Sequence, residues 1–185
     1  MSHNGRYSVK DMGRAGLVLA VVLGGTALVL RTADAIPGWL AGVPPGVRLC
    51  ASLAEAEART GLRLDPNLFA AYEPVADGIR VTAKSEPAAA VTMQWRQDRR
   101  IRLTLFRARG KEIPAALRAP LPSFHEIAVP LEKGHSASLK AEALPDGSVW
   151  QDMEWASALG ATALRFNGRT VELLRVARRM IEAAP

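Results

Sequence analysis

A chain of 185 residues, 49% of them apolar and 23% charged, is long enough to bury the core of one domain. Its single cysteine, Cys50, excludes an internal disulfide, so stability has to come from packing. A net charge of +6 would suit nucleic acid, but an exported chain does not meet nucleic acid, and the first element read below sends this chain out of the cytoplasm.

Residues 1–14 carry Arg6, Lys10 and Arg14 against Asp11 and read as a short cytoplasmic tail. From Ala15 to Leu30 there are sixteen residues without a charge, fenced by Arg14 and Arg31. As a helix this run would measure roughly 24 Å, a little short of a bilayer core of about 30 Å. Arg14 and Arg31 can extend the span by carrying their charged heads to opposite interfaces. The expectation is a single transmembrane anchor over 15–31, in a bacterial-type inner membrane, with the C-terminal part on the extracytoplasmic (periplasmic) side. The excess of basic residues before the run favours that orientation. The alternative is a cleaved secretory signal with Ala33-Asp34-Ala35 as the cleavage site, giving a secreted soluble form. Gly16, Ala20 and Gly24 recur every fourth residue and put small side chains on one helical face, where two such helices would pack closely; ordinary Ala and Gly usage is the simpler explanation.

Residues 32–50 hold Pro37, Gly38, Gly42, Pro44, Pro45 and Gly46 and read as a tether without regular structure, with Trp39 and Leu40 suited to the headgroup layer. The folded domain is expected over 51–185. Ser52 and Glu55 make an S-x-x-E capping box and Gly61 a stop, which predicts a short helix over Leu53–Thr60. Leu62 to Tyr72 is expected to be irregular or extended, with a break at Asp65-Pro66.

From Ile79 the apolar period falls to two. Ile79 and Val81, then Val91, Met93 and Trp95, then Ile101, Leu103 and Leu105 alternate with polar residues, as antiparallel strands apolar on one face do. Placing Trp95 beside Leu103 requires paired residue numbers to sum to 198, with a loop at Asp98-Arg99-Arg100 and Arg96 opposite Arg102. Arg96, Arg99, Arg100 and Arg102 then form a cationic patch, a candidate contact for anionic partners; a solvated face that discourages edge aggregation explains the same residues.

Pro114, Pro120 and Pro122 make Lys111 to Phe124 a loop with one helical turn. Strands resume at Glu126 to Val129 and Ala137 to Ala143, and Asp146-Gly147 turns into Ser148 to Trp155, where Val149, Met153 and Trp155 share a face. Thr162, Leu164 and Phe166 form another inward row. Thr170 is placed to cap a helix from Val171 to Ala183, with a stripe of Val171, Leu174, Ala177 and Ile181 joined by Leu173, Val176 and Met180. The fold class implied is α+β: a membrane-spanning helix, then an antiparallel sheet of six or seven strands packed with a short N-terminal and a longer C-terminal helix.

The D-P-N-L-F segment at Asp65 to Phe69, M-E-W at Met153 to Trp155, A-L-R-F-N-G at Ala163 to Gly168 and V-E-L-L-R-V-A-R-R-M at Val171 to Met180 carry a resemblance over Ser52 to Met180. In that order they resemble a family of uncharacterised extracytoplasmic domains at the C-terminal end of membrane-anchored proteins similar to anti-sigma factors. The resemblance implies a regulatory role beside the membrane. Such regulators hold a sigma factor with a cytoplasmic helical domain, and fourteen residues before the span do not supply one, so direct sigma-factor binding is not implied.

His125, Glu126, Glu132 and His135 match no metal-ligand spacing, and Ser136 and Ser138 lack a nucleophile elbow. Asp152 and Glu154 lie two apart on one strand face, where two carboxylates can share acid and base work; surface solubility is the simpler account. The sequence therefore implies no enzyme, no cofactor and no metal. It implies a domain that binds or senses a protein or an anionic envelope component, with membrane lipid met through the anchor, no nucleic acid, and an oligomeric state the sequence leaves open. Two alternatives stand beside it. One is a lipid or lipoprotein carrier-like domain with a concave face lined by Met93, Trp95, Leu103 and Met153. The other is an envelope hydrolase using Asp152 or Glu154, which would need a further carboxyl or His beside them.

Overall fold

The computed structural model describes residues 43–64, 69–82, 85–118, 126–144 and 147–183. By contacts the chain divides at Gly42, and the unit Val43–Pro185 is the one described below. The expected anchor with Arg14, Gly16, Ala20, Gly24 and Arg31, and the residues Trp39 and Leu40, lie outside the described residues. Among those described, no helix is long and apolar enough to cross a membrane.

The period-two segments close into one antiparallel sheet of eight strands: β1 (Val47–Leu49), β2 (Tyr72–Thr82), β3 (Ala88–Trp95), β4 (Ile101–Ala108), β5 (Glu126–Pro130), β6 (Ser136–Ala143), β7 (Val149–Ser157) and β8 (Gly160–Asn167). Their spatial order is β1-β2-β3-β4-β8-β7-β6-β5. Two four-stranded meanders thus meet where β4 pairs with β8, and the segment after β4 must travel to the far edge to begin β5. The strand the sequence missed is β1. It falls inside the stretch 32–50 read as tether, because Gly46 at φ +81 turns the chain and Val47 N–H bonds back to the Pro44 carbonyl before pairing starts.

Two helices lie on one face. In α1 (Leu53–Thr60), Ser52 Oγ accepts from Glu55 N–H at 3.2 Å, and Gly61 ends the helix at φ +66. The reciprocal half of the expected box is displaced by one residue, since Glu55 Oε2 accepts from Ala51 N–H at 2.8 Å rather than from Ser52. In α2 (Thr170–Glu182), Arg169 takes the N-cap position without a side-chain cap, and Thr170 is already helical. The buried residues of α2 are Leu173, Ala177, Met180 and Ile181. Val171 is 65% exposed, so the helix is rotated from the expected stripe. Packing set the phase: Leu173 at 0% exposure points straight into the sheet, which turns Val171 outward.

The main core lies between the sheet and the helices and contains Val91, Met93, Leu103, Leu105, Met153, Trp155, Leu164 and Phe166. Each such side chain withdrawn from water contributes about 1.5–3 kcal/mol before entropy is counted. A second cluster of Val47, Ala88, Ala90, Phe106, Ala108, Leu117 and Ala163 covers the opposite face of the central strands, joined by Val43 and Ile113. One-faced alternation does not describe this region. β3, β4 and β8 are buried on both sides because Val43 and Val47, together with Ile113 and Leu117 of the segment after β4, pack against their second face.

β2 also begins earlier than Ile79. Pro74 pairs with Met93 and Ile79 with Val91, so four residues, 75–78, oppose Thr92 alone in a bulge with Asp77 at φ +56. Gly78 is required there, because a Cβ would lie 2.4 Å from Val75 Cγ2 and 3.0 Å from the Thr92 carbonyl oxygen.

Candidate functional site

The β3–β4 hairpin brings the four arginines of the candidate patch to one end of the sheet, in a register unlike the expected one. Met93 pairs with Leu103 and Gln94 with Ile101, so the paired numbers sum to 196 and then, past a bulge, to 195 rather than 198. Trp95 N–H donates to the Arg100 carbonyl at 2.9 Å and the Trp95 carbonyl accepts from Arg99 N–H at 2.8 Å, closing a four-residue loop in which Arg99 sits at φ +55. Arg96 is a loop residue and does not face Arg102. Asp98 explains the difference: its Oδ1 accepts from Arg100 N–H at 3.0 Å and its Oδ2 holds Arg102 Nη2 at 2.5 Å, fixing a tighter turn.

Those contacts partly neutralise the patch. Arg102 is committed to Asp98 and stacks on the Trp95 ring at 4.2 Å, and Arg99 lies 3.8 Å from Glu73. Arg96 Nε donates to the Tyr72 carbonyl at 3.3 Å. Four guanidiniums less the carboxylates of Asp98 and Glu73 leave a formal +2 at this corner, with Arg96 and Arg100 carrying the charge most open to a partner. The Arg100 backbone amide, and then the Arg102 side chain, hold the Asp98 carboxyl below its usual range. Trp95 and Tyr72 are paired rings 6.3 Å apart, and burial, then the nearby Glu172 carboxylate, pushes the Tyr72 phenol up.

A second constellation lies on the sheet face opposite the helices. Arg165, Asp152, Lys140 and Glu126 stand opposite one another across β8, β7, β6 and β5, a row of alternating charge. Arg165 Nη2 reaches Asp152 Oδ2 at 2.8 Å and Lys140 Nζ reaches Glu126 Oε2 at 3.3 Å. Arg118, in the segment between β4 and β5, adds Nη2–Oδ2 at 3.1 Å to Asp152 and Nη1–Oε2 at 2.5 Å to Glu154. Both arginines lie 5.9 Å from the centre of the Phe106 ring. The Asp152 side chain is 1% exposed, which corrects its reading as a surface residue. Sequence reasoning missed this clasp. The signal available was Arg118 in an otherwise apolar and proline-rich segment that has to cross the sheet.

The contacts of that clasp are ion pairs that hold the segment after β4 to the sheet. Asp152 and Glu154 share one guanidinium, and the groups beside them are arginines rather than the carboxyl or His that acid–base work would require. Among the described residues, no three His, Cys, Asp or Glu side chains come together to hold a metal. Of the other residues considered for chemistry, Glu132 lies 3.9 Å from Arg178, and His125 is outside the described residues. Of the four residues expected to line a carrier's concave face, Met93, Leu103 and Met153 are core, at 3%, 0% and 0% exposure, and Trp95 is half-buried. An open groove of about 440 Å³ lies instead along α2, lined by Glu132, Val171, Leu174, Arg175 and neighbouring charged residues. No family model, curated protein or solved structure matches the chain.

Proposed function

We propose that this chain is a non-enzymatic, single-span membrane protein whose exported α+β domain binds or senses a protein or an anionic envelope component. The observation that carries the reading is the uncharged run from Ala15 to Leu30, bounded by Arg14 and Arg31 and followed by a Pro- and Gly-rich stretch and one folded unit. The resemblance to extracytoplasmic domains of membrane-anchored regulators agrees with it. Binding in preference to catalysis is supported by the use of Asp152 and Glu154 in holding the crossover. The contact surface in this reading is the hairpin end with Arg96, Arg99, Arg100 and Arg102.

The test is photocrosslinking of the full chain in its own membranes from a probe placed at Gln97, beside the patch. A crosslinked species that disappears when all four arginines are changed to Gln supports the reading. Crosslinks that persist in that variant, or a chain that fractionates with the cytosol, overturn it.

A further inference from the structure

The end of β4 remote from the hairpin carries two further arginines. Arg107 lies opposite Ala89, a residue of the main core, and so faces the side that holds the helices. Arg109, just past the strand, continues the ladder by donating its N–H to the Pro87 carbonyl at 3.0 Å and faces the same way. Both side chains reach the segment that leaves α1. Arg107 Nη1 donates to the Arg63 carbonyl at 2.5 Å, and Arg109 Nη2 packs over Gly61, where a Cβ would lie 2.9 Å from it.

That segment is fixed from several sides. Leu62 and Leu64 are buried, which turns Arg63 between them outward. Thr60 Oγ1 accepts from Leu62 N–H at 3.2 Å, and Glu57 Oε1 accepts from Leu64 N–H at 2.6 Å. Three arginines thus meet around residues 61–63 on a backbone already held in place. Among the described residues none of the three pairs with a carboxylate, whereas Arg59 is held by Glu55 at 2.9 Å. Three positive charges less that of Glu57 leave a formal +2. A solvated charged face accounts for the exposed Arg63 and Arg109, but Arg107 is half-buried. Burial pushes its guanidinium below the ordinary value, and no neighbouring carboxylate offsets that cost.

We propose that Arg63, Arg107 and Arg109 bind a phosphate group as its dianion. Guanidinium forks match phosphate oxygens, and a net +2 presented by three forks suits a dianion better than a carboxylate with one charge and two oxygens. Arg107 is already anchored at the Arg63 carbonyl, so little ordering cost is left for binding. The site stands apart from the hairpin patch and requires no membrane anchor. The same chemistry is offered by a free phosphate and by a phosphomonoester lipid headgroup.

The test is calorimetric titration of the full chain, in micelles of an uncharged detergent at about pH 8 and constant ionic strength, where phosphate is a dianion. The titrants are inorganic phosphate, a short-chain phosphatidate and acetate. Saturable binding of one phosphate group per chain is expected, with acetate several-fold weaker, and the tighter of the two phosphate forms identifies the source. Arg63→Gln and Arg109→Gln change exposed side chains, and each should weaken phosphate binding about tenfold, the scale of a lost charge-assisted hydrogen bond. Arg175→Gln on α2 removes the same charge elsewhere and should leave binding unchanged. Saturation by neither phosphate form overturns the proposal, as does acetate bound as tightly as phosphate. Equal weakening by Arg175→Gln and Arg109→Gln overturns it too, since diffuse surface charge would then be the cause.

Discussion

Arg118, in the segment that leaves β4, lies 3.1 Å from the carboxylate of Asp152 on β7, a strand two places further along the sheet. The contact pins the crossover where it passes over the join between the two meanders. Ile113 and Leu117 supply the apolar part of the same attachment by packing into the second core.

Breaking that clasp on one side leaves buried charge without its counterpart. Asp152→Ala should destabilise the fold by about 3–5 kcal/mol, the scale for orphaning a buried ion pair. Glu154→Ala should cost much less, because its side chain is 35% exposed. Urea unfolding of the two variants checks the ordering, and equal losses would contradict the assignment of Asp152 as the centre of the clasp.

The rotation of α2 is testable at adjacent turns. Leu173→Ala should cost about 2–5 kcal/mol. Val171→Gln should fall within about 0.5 kcal/mol of wild type, as exposed substitutions do. Thermal or urea denaturation distinguishes this phase from the one that buries Val171.

Gly160 sits where the main chain at the start of β8 passes close to the end of β4. A Cβ there would lie 2.0 Å from the Ala108 carbonyl oxygen, and its φ is +118. Gly160→Ala should therefore cost about 3 kcal/mol or more, by clash and strain together. A neutral result in the same unfolding assay would mean that β8 does not approach β4 as described.

Acid should act on the entry to α1. The Ala51 backbone amide, and then the Arg59 side chain, hold the Glu55 carboxyl below the ordinary glutamate value of about 4.3. A lowered folded value means that the charged form stabilises the native state above the ordinary value and that this contribution fades as pH falls through the lowered one. The stability gap between wild type and Glu55→Gln should accordingly be constant near neutrality and shrink below about pH 4. A gap that widens on acidification would contradict the contact.

What the sequence made legible was governed by local rules. The Ser52 cap, the Gly61 stop and the alternation through Val91 and Leu103 depend on near neighbours, and each appears where its spacing placed it. The misplaced features depend on partners remote in sequence. β1 is a strand because Thr82, Val81 and Arg80 offer it an edge. Val171 is outside because Leu173 is inside, and Asp152 is buried because Arg118, thirty-four residues earlier, lies over it. The patch arginines were found as a group, but the roles of Asp98 and Glu73 among them came from turn geometry that periodicity does not carry.

The proposed function requires residues 43–185 to be delivered to the extracytoplasmic side of a membrane. A phosphatase that is active only outside the cytoplasm, fused after Pro185 and assayed in intact cells, measures this directly. High activity, with the fusion retained in the membrane fraction, is the predicted result. Inactive phosphatase, with a matched cytoplasm-active reporter giving full signal at the same position, would contradict it.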